Sequence, residues 1–226
     1  MLEVLLKAVG LTRRDTATGR LLLDDVNLQI APGECVALLG PSGSGKTLLL
    51  RALAWLDPLE AGEVTWRSTS PAAIGAPSFR RRVMYLHQSP WLPEGTVREA
   101  LQQPFTLKSL ASEENFPFDE QRLSNWLAEL EREDSFLDQQ TSDLSGGERQ
   151  ILALFRVLQL SPDVLLLDEP TSALDWYTQQ LVEKLITRWV KVQSCRAIVL
   201  VTHDEQQAQR LADRTLRMNQ GRLETP

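Results

Sequence analysis

The chain has 226 residues, 42% of them hydrophobic, enough for one full core or for one core carrying a smaller attached subdomain. Its net charge of -6 and pI near 5.1 supply no field that would gather a polyanion, so nucleic acid is not expected as a partner. Cys35 and Cys195 each sit beside an apolar run without Cys/His ligand spacing, which speaks against a disulfide framework and a structural zinc site.

The opening residues MLEVLLKAVG interrupt their apolar pattern with Glu3 and Lys7 and lack both a basic start and a small-residue cleavage site, so they read as a strand of a cytosolic protein. LEVLLKAV and LLLDDVNLQI predict two neighbouring strands around the polar RRDTATGR, and APGE turns the chain. ECVALL is nearly continuously apolar, as expected of a strand buried on both faces, and it runs straight into GPSGSGKT and the helix-favouring TLLLRALAWL. DPLEAG ends that helix and EVTWR resumes as a strand. Ser68 to Ser78 reads as loop, FRRRV as a solvated strand edge, and RVMYLHQ as a strand.

From Ser89 to Asp143 the character is helical: TVREALQQ follows a threonine cap, and DEQRLSNWLAELERE spaces its apolar residues by helical turns. Residues 89–143 are therefore expected as an inserted helical subdomain, with 1–88 and 144–226 forming the core. GGERQILALFRVLQL (helix), VLLLD (strand), LDWYTQQLVEKLITRWV (helix), AIVLV (strand) and EQQAQRLAD (helix) follow. That order predicts an α/β fold with a mostly parallel sheet and antiparallel strands at the amino terminus. No element is predicted past Asp213. No apolar stretch approaches the roughly 20 residues that cross a bilayer.

Gly40, Pro41, Ser42, Gly43, Ser44, Gly45, Lys46 and Thr47 fit G-x-x-x-x-G-K-[ST] between a buried strand and a helix. Glycines let backbone N–H groups turn inward, so the loop suits phosphate oxygens, with Lys46 reaching the β- and γ-phosphates of ATP and Thr47 ligating Mg²⁺. Asp168 and Glu169 leave the strand VLLLD together; the first suits Mg²⁺ and the second suits a general base, although an acidic pair at a strand end is by itself more often a polar loop start. Gln88 ends RVMYLHQ, where an amide would touch Mg²⁺ or the attacking water, or simply cap the strand. His203 follows AIVLV and is expected at the same sheet edge as Asp168. Asp175 in SALD suits a helix cap.

Taken in order, GPSGSGKT, Gln88, LSGGERQ, LLLDEP, SALD and His203 resemble the motifs of the ATP-binding-cassette ATPases over nearly the whole chain. LSGGERQ is the most specific of them. The resemblance implies a P-loop NTPase core that hydrolyses ATP with Mg²⁺ as a head-to-tail homodimer, in which Ser145, Gly146 and Gly147 of one copy contact the γ-phosphate held by the other. A helix opening on two glycines without a lysine agrees with that implication, being an anion site that needs a partner's phosphate. The resemblance further implies a motor subunit working with an integral membrane permease, peripheral on the cytoplasmic face of the inner membrane. The run SPWLPEGTVREAL is similar to short subunits of iron exporters; the alternative is a soluble ATPase of scaffold assembly, iron–sulfur type. Trp91, Phe105, Phe116, Phe118 and Trp126 are candidates for a groove that receives a permease helix, or for the insert's own core. Two departures stand out. Leu48 replaces the hydroxyl usual after Thr47, and Leu11 occupies the place expected for the aromatic that stacks on adenine, with Arg13 or Arg14 as planar substitutes.

Overall fold

A computed structural model describes residues 4–106 and 117–224. Phe116 lies outside the described residues. The chain divides into two compact units: one holds the residues up to Tyr85, Pro162–Glu169 and Val190 onward, the other Leu86–Ser161 and Pro170–Trp189.

The first unit contains both sheets. β1 (Leu6–Arg14), β2 (Leu21–Ile30) and β4 (Ala61–Trp66) form an antiparallel sheet in the order β2-β1-β4. β1 continues five residues past the Val9 expected from apolar alternation. Its register shifts between Ala8 and Leu11, a bulge around Gly10 that hides the strand from a period-two reading. The bulge brings β1 onto β4 so closely that a Cβ at Gly62 would lie 2.5 Å from the Gly10 carbonyl.

The second sheet is ordered β5-β6-β7-β3-β8-β9, from β5 (Val83–Leu86), β6 (Val164–Asp168), β7 (Ala197–Val201), β3 (Cys35–Leu39), β8 (Arg214–Asn219) and β9 (Arg222–Glu224). β3, β6, β7 and β8 run parallel, and β9 returns antiparallel. The continuous apolar runs VLLLD and AIVLV are buried at every position, as a strand covered on both faces requires. β8 and β9 are absent from the sequence reading. Leu216 and Met218 do alternate inward there, and Gln220-Gly221, both at positive φ, supply the two-residue hairpin turn. Helix α1 (Lys46–Leu53) presses Leu49, Leu50 and Leu53 into the core, each contributing on the order of 2 kcal/mol by leaving water.

Ser68 to Ser78 is not simply loop, and FRRRV is not a strand edge. Two short helices, α2 (Pro71–Ile74) and α3 (Ala76–Arg82), each begin with a proline in the first two positions and are separated by Gly75 at φ 82. Proline at a helix start loses no hydrogen bond, so a proline-rich stretch starts helices as readily as it prevents them. Arg80 to Arg82 occupy the last turn of α3, where cations meet the negative helix end. Arg80 Nη2 donates to the Trp55 carbonyl at 2.8 Å, and the guanidinium groups of Arg67 and Arg82 stand 5.7 and 5.6 Å from the Trp66 ring centroid. Trp66 Nε1 donates to Asp163 at 3.1 Å.

Asp57 ties α1 to β1. It accepts from Arg51 Nε at 2.8 Å, Arg51 Nη2 at 2.6 Å and Arg13 Nη1 at 2.5 Å. These bonds, Arg51's above all, hold its carboxyl down at about 2 against an ordinary 3.8. Because the folded value is the lower one, this stabilisation is complete above about pH 4 and disappears as pH falls through about 2. Asp57→Asn is expected to lower Tm at pH 7 by about 3–8 °C, with the difference from wild type shrinking from pH 4 downward. A difference that does not depend on pH would contradict this assignment.

The second unit is helical: α4 (Val97–Gln102) with a 3-10 turn (Gln103–Thr106), α5 (Glu120–Glu129), a 3-10 turn (Asp134–Asp138), α6 (Gly146–Leu158) and α7 (Trp176–Val192), whose last three residues fall in the first unit. Thr96 with Glu99 and Ser145 with Glu148 form capping boxes at the starts of α4 and α6. Trp126 packs on Phe155 at 5.5 Å and Phe105 on Phe118 at 5.7 Å, so these aromatics serve the unit's interior, whereas Trp91 is 76% exposed.

Candidate functional site

Strand register gathers the chemistry at one edge. Leu38 of β3 pairs with Val201 of β7, and Val201 pairs with Asp168 of β6, so the three parallel strands end in one row. The loop 40–47 leaves β3 there, Glu169 leaves β6 and His203 follows β7, at the carboxyl edge where parallel α/β sheets carry their ligands.

Gly40 sits at φ 147, and a Cβ there would lie 2.1 Å from the Met218 carbonyl, so the turn out of β3 admits glycine alone. Gly45, at φ 108, precedes α1 without a side-chain cap, leaving the first N–H groups of the helix to the loop. Ser44 Oγ is buried without a hydrogen-bond partner. Lys46 Nζ donates to the carbonyls of Gly40 and Pro41 at 2.7 and 3.0 Å, and the lysine is 6% exposed. Burial lowers its pKa, opposed by the carboxylates of Glu169 and Asp168. Leu48 packs partly buried against the hydrophobic core and brings no polar atom to the loop.

Asp168 is 3% exposed. Its Oδ2 accepts from Thr47 Oγ1 at 2.8 Å and from the Tyr85 hydroxyl at 3.0 Å. Burial, then the Asp168 charge, pushes the Tyr85 phenol up, so the phenol keeps its proton at neutral pH. Glu169 takes φ +48, a left-handed conformation that costs a non-glycine residue about 1 kcal/mol, and its N–H donates to the Val201 carbonyl at 3.0 Å. That strained turn places Glu169 Oε1 2.6 Å from His203 Nε2.

A hydroxyl and a buried carboxylate beside a phosphate-type loop suit Mg²⁺, which is commonly held by one or two protein oxygens together with substrate phosphates. No group of three or more His, Cys, Asp or Glu side chains able to hold a metal occurs among the described residues.

The remaining candidates belong to the second unit or to the core. Gln88, exposed just past β5, has its carbonyl 3.4 Å from Gln150 Nε2. Ser145 caps α6: its Oγ accepts from Glu148 N at 3.3 Å and donates to Glu148 Oε2 at 2.6 Å. The Ser145 hydroxyl, the Ser145 N–H, which donates to Oε2 at 2.9 Å, and Arg132 at 3.0 Å hold the Glu148 carboxyl below its ordinary range. A Cβ at Gly147 would meet the Ala173 carbonyl and Leu174 Cδ2 at 3.0 Å, while Gly146 has ordinary room, its nearest neighbour being Ala173 Cβ at 3.7 Å. Asp175 caps α7, accepting from the N–H groups of Tyr177 and Thr178 at 3.0 Å.

Leu11 is the exception. It is 0% exposed within the core, so no face of it is open to a base; the register shift at the Gly10 bulge, invisible to apolar alternation, accounts for the difference from the sequence expectation. Two residues were missed. Tyr85 was read only as part of an alternating strand. Gln150 is 6% exposed, donates to Ser172 Oγ at 3.0 Å and accepts from Ala173 N at 3.0 Å, joining α6 to the segment before α7. A buried glutamine in an apolar helix was the available signal.

This sheet order, with a glycine-cradled loop feeding a helix and carboxylates on the neighbouring strand, defines a phosphate-loop nucleotide-binding fold of the α/β class. The sequence matches the ABC transporter family model over residues 23–172, and the chain belongs to that family. It is 38% identical over 205 residues to the sulfate/thiosulfate import ATP-binding protein CysA of Nitrosomonas europaea, covering 89% of this chain and 55% of that protein. It is 35% identical to the nickel import ATP-binding protein NikE of Shigella flexneri, covering 89% of this chain and 76% of the relative. The chain thus spans about half the length of the first of these and about three quarters of the second. Among solved structures it resembles the dimeric bacterial ABC transporter cassette MJ0796, with TM-score 0.83, 27% identity and 97% of each chain covered. The same cassette is known in a dimeric post-hydrolysis state bound to ADP and Pi, at TM-score 0.82 and 26% identity. Both relatives are named for import, whereas the sequence resemblance pointed to iron export.

Proposed function

We propose that this chain is the ATP-hydrolysing motor of a membrane transporter, working as a head-to-tail pair beside a separate integral permease on the cytoplasmic face of the membrane. The observation that carries the reading is the convergence of Lys46, Thr47, Asp168, Glu169 and His203 on one sheet edge, with Glu169 Oε1 2.6 Å from His203 Nε2. In this reading the loop N–H groups and Lys46 bind the β- and γ-phosphates of ATP. Thr47 and Asp168 would hold Mg²⁺, which would draw charge from the phosphate oxygens. Glu169 accepts a proton from water as the water oxygen bonds to the γ-phosphorus, the bond to the β–γ bridging oxygen breaks, and ADP and phosphate form. His203 holds Glu169 in line and contributes positive polarity to the departing γ-phosphoryl group.

Ser145, Gly146 and Gly147 of the second copy complete each site, so ATP joins two copies and its hydrolysis loosens them. The dimeric MJ0796 cassette supports that assembly. With Leu11 buried, the base is covered by Arg13, whose guanidinium Asp57 fixes at 2.5 Å. The helical subdomain 89–143 is read as the part that meets the permease, through exposed Trp91. No helix among the described residues is long and apolar enough to cross a membrane.

If each site needs two copies, phosphate release per copy from MgATP rises with protein concentration before it saturates. The same chain is expected to sediment with membranes only when its permease is co-expressed. Turnover per copy that stays constant on dilution would contradict the composite site, and a complex made only with soluble proteins would favour scaffold assembly.

A further inference from the structure

We propose that Tyr85 is a positioning residue for the metal-holding carboxylate, an inference that rests on the reading of Asp168 given above. The phenol donates to Asp168 Oδ2 at 3.0 Å, and Thr47 Oγ1 donates to the same oxygen at 2.8 Å. Both side-chain hydrogen bonds converge on Oδ2. Among the described residues, Oδ1 is the oxygen left without one.

The chemistry of the donor matters as much as the distance. Asp168 is 3% exposed, and a polar group so buried needs hydrogen-bond partners to hold it. An arginine or lysine would hold it but would also neutralise it and compete with a divalent cation. A phenol holds the carboxylate in one rotamer and leaves its whole charge available. The one arginine on the loop helix, Arg51, is bound at 2.8 and 2.6 Å by Asp57 rather than by Asp168. Tyr85 is itself well placed to fix an orientation: it sits in β5, the strand next to β6, with its ring packed against the core and only two side-chain torsions to order. Outer-shell partners of this kind set the direction of a ligand's lone pairs.

The test is Tyr85→Phe, which removes one oxygen and keeps the packed ring. Mn²⁺ is titrated by paramagnetic resonance into the full chain loaded with a non-hydrolysable ATP analogue, and analogue affinity is measured separately in EDTA. The half-saturating Mn²⁺ concentration is expected to rise roughly tenfold, with metal-free analogue affinity unchanged. Equal Mn²⁺ binding in Tyr85→Phe and wild type would overturn the proposal, as would a metal-free affinity that falls by the same factor, because that marks a general structural loss. Asp168→Asn separates the two layers of the argument. If it weakens Mn²⁺ binding while Tyr85→Phe does not, only the role of Tyr85 fails; if it leaves Mn²⁺ binding intact, the reading of Asp168 fails.

Discussion

Glu169→Gln is expected to bind MgATP as tightly as wild type, to hydrolyse it about 10²- to 10⁴-fold more slowly, and to elute as a dimer whenever MgATP is present. The amide keeps the size and hydrogen-bonding reach of the carboxylate but accepts no proton from water. The γ-phosphate is therefore not removed, and the two copies remain joined. The strained turn at φ +48 sharpens this expectation, since a conformation that disfavours ordinary side chains is retained where it directs the Glu169 carboxylate to His203 Nε2 at 2.6 Å. Gel filtration with and without MgATP reads the outcome. A variant that still turns over at the wild-type rate would remove Glu169 as the base, and one that stays monomeric in MgATP would remove ATP as the link between copies.

Lys46→Ala is expected to lose nucleotide retention, with Kd weakened by about a hundredfold or more, equivalent to about 3 kcal/mol. Lys46 is 6% exposed, and the hydrogen bonds of its ammonium to the Gly40 and Pro41 carbonyls, at 2.7 and 3.0 Å, also shape the loop. Truncation thus removes both a charge for the β- and γ-phosphates and a strut of the cradle. Equilibrium binding of a fluorescent ATP analogue measures it, and an unchanged Kd or an undiminished hydrolysis rate would refute the assignment.

What the sequence made legible follows from physics that is local. The loop 40–47 is contiguous, and its glycines are demanded by backbone geometry, as Gly40 against the Met218 carbonyl illustrates. The buried strands VLLLD and AIVLV show themselves by unbroken apolar runs, and the pairing of Asp168 with Val201 then brings Glu169 and His203 to one edge. The illegible parts depend on register or on partners far along the chain. The bulge at Gly10 moved Leu11 into the core, which no alternation count foresees. Prolines in Ser68 to Ser78 read as breakers because their tolerance at a helix start depends on where the helix starts. Tyr85 and Asp168 are 83 residues apart in sequence, and only the adjacency of β5 and β6 joins them. Gln150 likewise gained meaning only once Ser172 and Ala173 were seen beside it.

In the proposed dimer each triphosphate lies between two copies, cradled by one and closed by the other. The distance from Ser145 Oγ of one copy to the γ-phosphate bound by its partner, measured in a crystal structure of Glu169→Gln with MgATP, addresses it directly. Hydrogen-bonding separation, about 2.5–3.0 Å, is expected, with the Gly147 N–H directed at the same phosphate. A serine turn open to solvent, more than about 10 Å from any phosphate in every assembly of the crystal, would contradict it.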